Sequence, residues 1–253
     1  LDSDHVTVNG LVIHTYDANN ADGVEFGNGD GLLVLNSVMD TGDDCVNFAA
    51  GVGRGAAAQR PSRRAWIFNN YFREGHGAVV VGSHTGAWIE DVLAEDNVMH
   101  LTDVGLRAKS TVQTGGGARR IVFRDNAMRA ISSQAIVLTL DYAVQNLAYA
   151  AADVPARFHD FLVQDVSVDG SPSMTASIHA SGSATGPVIH ERLVFERVRF
   201  RHAGPVKIDH VRDSTFRDVV FTDRLAKGAN PWSITNATGL VFTGSTSPRP
   251  KGW

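Results

Sequence analysis

Only one cysteine, Cys45, occurs among 253 residues. No internal disulfide framework can form, and a thiolate zinc site, which needs several ligands, is excluded with it. No run of eighteen apolar residues is present, so no membrane-spanning helix is indicated. Charge is nearly balanced: 23 Lys and Arg against 27 Asp and Glu leave a net charge of −4, which excludes a polycation built to hold nucleic acid. Proline is sparse at 8 residues and no linker composition appears, so one domain is expected over residues 1–253. No stretch of useful length has helical periodicity, which removes helical repeats.

Glycine is plentiful, at 25 residues, and Val, Ile and Phe recur in short runs. That composition reads as many short strands joined by tight turns. The runs form a loose repeat in which an apolar strand is followed by Asn or Asp and then by a second short strand. It is seen in Val6–Ile13, Leu32–Met39, Trp66–Phe72, Leu93–Met99 and Ile121–Met128, and more weakly in Phe161–Val166, Leu193–Val198 and Phe216–Phe221. Asn70, Asn97 and Asn126 fall 27 and 29 residues apart. That period suits a solenoid and is too short for propeller blades. The expected fold is all-β, a parallel β-helix whose turn asparagines pair with the coils above and below. Gly51–Ser62, Ser110–Gly117, Tyr142–Ala156 and Gly170–Gly186 break the period and read as loops.

Four segments carry polar groups that a plain scaffold does not need: Asn20-Ala-Asp-Gly23, Thr41-Gly-Asp-Asp-Cys45, Gly75-His-Gly77 and Arg107-Ala-Lys109. Asp22, Asp43, His76 and Arg107 are separated by 21, 33 and 31 residues, each near one coil. Stacked about 4.8 Å apart, they would share one face over roughly 14 Å, a length matched to a polymer. Paired carboxylates supply the acid and the base of glycoside hydrolysis. Their mutual repulsion raises at least one pKa. Arg107 and Lys109 stand at i and i+2, so on a strand they face the same way, as a cation pair suited to an acidic sugar. Glycines 75 and 77 would leave room beside His76 for substrate. Asp43 and Asp44 cannot both face a cleft from a regular strand, so a bulge or turn is expected at Gly42–Asp44.

These four motifs, in this order within a β-helix repeat, resemble the signatures of glycoside hydrolase family 28, the polygalacturonases. The match runs from Asp4 to about Tyr142, and the remainder matches as scaffold. Ala21 and Ala108 stand where the family commonly has Thr and Ile. The resemblance implies a right-handed, single-stranded parallel β-helix that hydrolyses polygalacturonate with inversion, without metal or cofactor. It implies Asp43 as general acid, Asp22 and Asp44 as holders of the attacking water, and His76 as the group tuning Asp43. Arg107 and Lys109 would bind the substrate carboxylate, and Asn20 and Tyr142 would line the subsites. Several stretches, among them Asp22–Gly31 and Gly82–Asp91, resemble bacterial exo-acting members that release mono- or digalacturonate. It further implies a monomeric, secreted or periplasmic enzyme acting on pectin, with no nucleic-acid or membrane partner. N-terminal coils, cap and signal peptide would lie outside this chain, leaving an exposed solenoid end prone to association. An endo-acting relative, a silent carbohydrate-binding scaffold and a calcium-dependent pectate lyase are the alternatives.

Other residues read as structural. Cys45 is expected in the core, and Trp66 and Trp88 in the core or a cleft wall. Gly27–Gly31 is a turn rather than a phosphate loop. His84, His100, His159, His179, His190, His202 and His210 show no ligand spacing and read as surface or turn residues.

Overall fold

A computed structural model describes residues 1–143, 148–183, 188–223 and 230–253. Its strands wind into successive coils. The first holds β1 (Asp4–Asn9), β2 (Val12–His14) and β3 (Val24–Gly27); the second holds β4 (Asp30–Leu35), β5 (Val38–Asp40) and β6 (Asp44–Ala49). The third holds β7 (Ser62–Phe68), β8 (Tyr71–Arg73) and β9 (Gly77–Val81). The fourth holds β10 (Ile89–Glu95), β11 (Val98–His100) and β12 (Val104–Lys109). The fifth holds β13 (Gly117–Arg124), β14 (Ala127–Ile131) and β15 (Gln134–Thr139). Two long strands, β16 (Arg157–Gly170) and β18 (His190–Arg201), then run around the first corner unbroken, followed by β17 (Ala176–Ser181) and β19 (Val206–Asp209) respectively. The last strands are β20 (Val211–Arg212), β21 (Thr215–Arg217), β22 (Val220–Phe221), β23 (Trp232–Thr235) and β24 (Val241–Thr243). Every pairing between these strands is parallel, as in a β-solenoid. The third strands of the coils make a separate face in the order β3, β6, β9, β12, β15, β17, β19, β23.

The Asn repeat has a direct physical cause. The first corner places Asn36, Asn69, Asp96 and Asp125 in the left-handed region, with φ between 51° and 55°. Short polar side chains tolerate that conformation best. The next residue turns inward. Asn70, Asn97 and Asn126 are buried, and each accepts from the coil before it. Asn70 Oδ1 takes the Ser37 N–H at 3.0 Å, Asn97 Oδ1 the Asn70 N–H at 3.0 Å, and Asn126 Oδ1 the Asn97 N–H at 2.9 Å. Beyond Asn126 the same position is Val166, Val198 and Val219, all buried. That replacement explains why the later copies of the repeat look weak in sequence.

Inside, equivalent residues stack coil on coil. Met39, Phe72, Met99 and Met128 form one column. Phe195, Phe216 and Phe242 form another, with ring centroids 5.0 Å apart. Each fully buried Phe contributes about 2 kcal/mol. Cys45 is core, as the sequence reading has it, and burial pushes its thiol up to about 12.

Three expectations are corrected here. Trp66 and Trp88 are neither core nor catalytic wall. Ala65 and Ile67 take the inward positions of β7, so Trp66 points out, stacks on Phe68 at 5.0 Å and donates to Glu95 at 2.8 Å. Trp88 lies half-buried on a turn under the Arg119 guanidinium, 4.7 Å from its ring. His190 is not a surface residue: it is completely buried, stacks on Phe158 at 4.9 Å, accepts from the Phe158 N–H and donates to Ser181 O. Burial pushes its pKa down to about 3, so it is neutral. The interval Gly170–Gly186 is not all loop, since Ala176–Ser181 is strand β17. A helical turn, α1 (Gly53–Ala56), interrupts the Gly51–Ser62 loop.

Candidate active site

The site is built where the chain turns into the third face. Asp22, Asp43 and His76 sit just before or at the starts of β3, β6 and β9, and Arg107 and Lys109 stand on β12. These four strands are consecutive in one sheet, so the four segments occupy one side of the solenoid. The expected irregularity at Gly42–Asp44 is present. Gly42 and Asp43 form a bend, β6 begins only at Asp44, and the Thr41 hydroxyl donates to Asp43 O at 2.8 Å. The bend gives the two aspartates different environments. The Asp43 side chain is 20% exposed and meets His76, Nδ1 to Oδ1 at 3.2 Å. The Asp44 side chain is 2% exposed and is held by Lys109 Nζ at 2.7 Å and by Arg107 Nη1 at 3.5 Å.

Lys109 is therefore not an open cation. Its side chain is 8% exposed and its ammonium is committed to Asp44. The Arg107 side chain is 23% exposed and its one carboxylate contact among the described residues is the long one to Asp44, so it keeps donors for a ligand. Both cations lie over the Tyr142 ring, Lys109 Nζ at 5.1 Å and Arg107 Cζ at 5.7 Å from its centroid. The Coulombic expectation of a raised carboxyl falls on Asp22. Burial first, then Asp44, Asp43 and Glu25, push it up to about 6.

The glycines flanking His76 also allow close packing within the protein. Gly75 has φ +122°, and a Cβ there would meet Thr41 Oγ1 at 2.7 Å and Cys45 Sγ at 2.8 Å. A Cβ on Gly77 would reach 3.1 Å from Asp44 Oδ1. Gly75 thus lets the third coil pack onto the acidic bend of the second, while a Cβ on Gly77 would first meet Val80 Cγ2 of its own strand.

A recess over the sheet is lined by Asn20, Asp22, Asp43, Asp44, Lys109 and Tyr142, and also by Glu25, Asn47, Ala49, Gly82, Ser83 and His84. The second group was not singled out from sequence. His84 was read as surface or turn; it lies in the recess, and burial lowers its pKa. Glu25 and Asn47 pair in register on β3 and β6, three residues beyond Asp22 and Asp44. Only their register across the two coils brings them together, which spacing along the sequence does not reveal. His76 itself lines a second recess, with Tyr16, Thr41, Glu74, Leu101 and Asp103 among others, rather than the first.

Three loops meet beyond Ala49 and Gly82. The Arg54 amide donates to Ala150 O at 2.9 Å, Arg54 pairs with Asp153 at 2.7 Å, and the Ala152 amide donates to Gln113 O at 2.9 Å. The loops after β6, β12 and β15 thus form one wall along this edge. Among the described residues, no group of three or more His, Cys, Asp or Glu is arranged to hold a metal ion. No helix among them is long and apolar enough to cross a membrane.

Residues 1–184 match the model of glycosyl hydrolases family 28. The chain belongs to that family. The family-28 chain is 46% identical over 248 residues to the exo-poly-alpha-D-galacturonosidase of Dickeya chrysanthemi, covering 97% of this chain and 41% of that protein. It is 50% identical to the structure of the family 28 exopolygalacturonase of Yersinia enterocolitica, with a TM-score of 0.89 over 94% of this chain and 41% of that one. An exopolygalacturonase from Thermotoga maritima, at 20% identity and a TM-score of 0.70, shares the fold. The chain thus spans about two fifths of the length of these first two relatives.

Proposed function

We propose that these family-28 coils carry a hydrolytic centre for the α-1,4-galacturonosyl linkages of polygalacturonate, acting from a chain end and releasing mono- or digalacturonate. The observation that carries the reading is the meeting of Asp22, Asp43 and Asp44 in one recess, with Lys109 and Arg107 on Asp44. In this reaction Asp43 gives its proton to the glycosidic oxygen as the bond from that oxygen to the anomeric carbon breaks. Water held between Asp22 and Asp44 attacks the same carbon from the opposite face, and its proton passes to Asp22. Lys109, 2.7 Å from it, holds the Asp44 carboxylate in place as an acceptor for that water. His76, 3.2 Å from Asp43, returns a proton to it from solvent. Arg107 takes the carboxylate of the sugar beside the scissile bond, and Asn20 and Tyr142 line the bound chain.

The exo mode rests on the similarity to the Dickeya and Yersinia enzymes and on the wall made by the loops after β6, β12 and β15. Pectin, a polymer of the cell wall, as substrate supports a secreted or periplasmic enzyme, and a monomer is the reading for its oligomeric state. A digest of de-esterified polygalacturonate with and without chelator tests the reading. Reducing ends without unsaturated uronides, with mono- or digalacturonate appearing early, are expected in both. Chelator-sensitive unsaturated product would mean elimination instead. Early oligomers of mixed length would mean internal cleavage.

A further inference from the structure

The acidic bend is fastened to the coils on both sides of it through peptide carbonyls. Asp40 O accepts from the Thr15 amide at 2.7 Å and Asp44 O from the Gly23 amide at 2.9 Å, which ties the bend to the first coil, beside Asp22. Asp43 O is tied the other way. It accepts from the His76 amide of the third coil at 3.0 Å. It takes a second hydrogen bond from the Thr41 hydroxyl at 2.8 Å. Asp43 and His76 are the pair whose side chains meet at 3.2 Å, so one carbonyl sets the backbone of both.

Thr41 is fully buried, so no bulk water stands ready to replace its hydroxyl as a donor. The hydroxyl also lies 3.3 Å from Cys45 Sγ, and that thiol donates to Glu74 O at 3.3 Å. Burial pushes the Cys45 thiol up to about 12, so it keeps the proton it donates. Thr41 Oγ1 therefore stands at the junction of two threads running from the second coil to the segment that carries His76. One passes through Asp43 O to the His76 amide, the other through Cys45 Sγ to Glu74 O. Gly75 lies between them, where a Cβ would meet Thr41 Oγ1, Cys45 Sγ and Asp43 O at 2.7, 2.8 and 2.9 Å.

We infer that Thr41 is a positioning residue for the acid step: its hydroxyl fixes the Asp43 peptide so that the Asp43 carboxyl stays aimed at the leaving oxygen and in contact with His76. The inference rests on the proposed function, in which Asp43 protonates that oxygen. Thr41 is no part of the recess that holds the three acids, and it acts on the reaction only through Asp43. Such a tether matters most in the transition state, where a small error in the direction of the proton donor is costly. Its loss should appear in kcat on substrates whose leaving oxygen needs a proton. It should not appear where the leaving group departs as a stable anion.

The test compares two substrates on the wild-type chain, Thr41→Val and Thr41→Ser. Valine keeps the shape of threonine and loses the hydroxyl; serine keeps the hydroxyl and loses the methyl. Trigalacturonate has a leaving alcohol that needs the proton, whereas the nitrophenolate of 4-nitrophenyl α-galacturonide leaves without one. On trigalacturonate, Thr41→Val is expected to lower kcat by about tenfold to a hundredfold with KM unchanged, and Thr41→Ser to stay within about threefold of wild type. On the aryl substrate, Thr41→Val should also stay within about threefold. If Thr41→Val does not fold, Thr41→Ala takes its place with the same expectation. Equal slowing on both substrates would mean a disturbed site rather than a misaimed acid, and serine as slow as valine would mean that the methyl is what matters. Either result, or wild-type kcat in Thr41→Val, would overturn the inference and leave the proposed function standing. A wild-type chain that cleaves neither substrate would overturn both.

Discussion

Asp22 is the residue whose titration separates the roles of the carboxylates. Burial and three neighbouring acids push it up to about 6. If it accepts the proton of the attacking water, it must be ionised, so kcat/KM rises with pH through about 6. If it were instead the acid, kcat/KM would fall over the same range. A pH profile on a short oligogalacturonate checks the sign. The same shift acts on stability. A carboxyl raised in the folded state binds a proton more tightly there than in the unfolded chain, so stability declines as pH rises from about 4 to about 6. Asp22→Asn should unfold at a higher denaturant concentration than wild type at pH 7 and at the same concentration near pH 3.5. A variant that is inactive yet more stable is the signature of a carboxylate kept for chemistry.

At the scale of strands and turns, the buried ion pair and the Asn ladder make contrasting demands. Lys109→Met removes the main partner of a carboxylate that is 2% exposed and should cost about 3 kcal/mol in urea unfolding. Lys109→Met with Asp44→Asn should recover most of that stability and none of the activity. Asn97 is paired on both sides, so Asn97→Ala strands the Asn70 side chain and backbone amide and should also cost about 3 kcal/mol. Asn36 bonds only exposed neighbours in a second, outer ladder, and Asn36→Ala should stay within about 0.5 kcal/mol.

What was legible follows the same division between local and non-local causes. The ladder showed in sequence because each coil repeats one local demand: a short polar residue in the left-handed region, then an inward amide. The bend at Gly42–Asp44 was legible because parity forbids two adjacent carboxylates on one side of a strand. The placement of His84 and His190 was not, because each depends on a neighbouring coil or loop that spacing cannot reveal. Gly75 and Gly77 were legible as close approaches, though the spacing could not show that Thr41 and Cys45 approach the first and Val80 and Asp44 the second. Trp66 misled because its size argues for the core, while the smaller Ala65 and Ile67 set which side of β7 faces inward. Strand β17, rich in Ala and Ser, carries a single branched residue, Ile178, and so lacks the apolar run that marks most of the others.

At the scale of the whole molecule, a rigid parallel stack explains how residues 22 and 109 come to serve one recess. Each coil contributes one short segment at a fixed height, and the sheet holds them in register without any single loop having to fold back. At one edge of the sheet the described parts of the loops after β6, β12 and β15 meet through Arg54, Gln113, Ala150 and Asp153. The central claim is that these acids deliver water to an anomeric carbon. The most direct measurement is a digest of polygalacturonate in ¹⁸O-labelled water, with released sugars read at once by mass spectrometry and proton NMR, for the chain and for Asp43→Asn. The account predicts one labelled oxygen per new reducing end, first seen as the β-anomer, with the rate in Asp43→Asn reduced by about 10³-fold. Unlabelled, unsaturated product, or labelled product formed equally fast by Asp43→Asn, would contradict it.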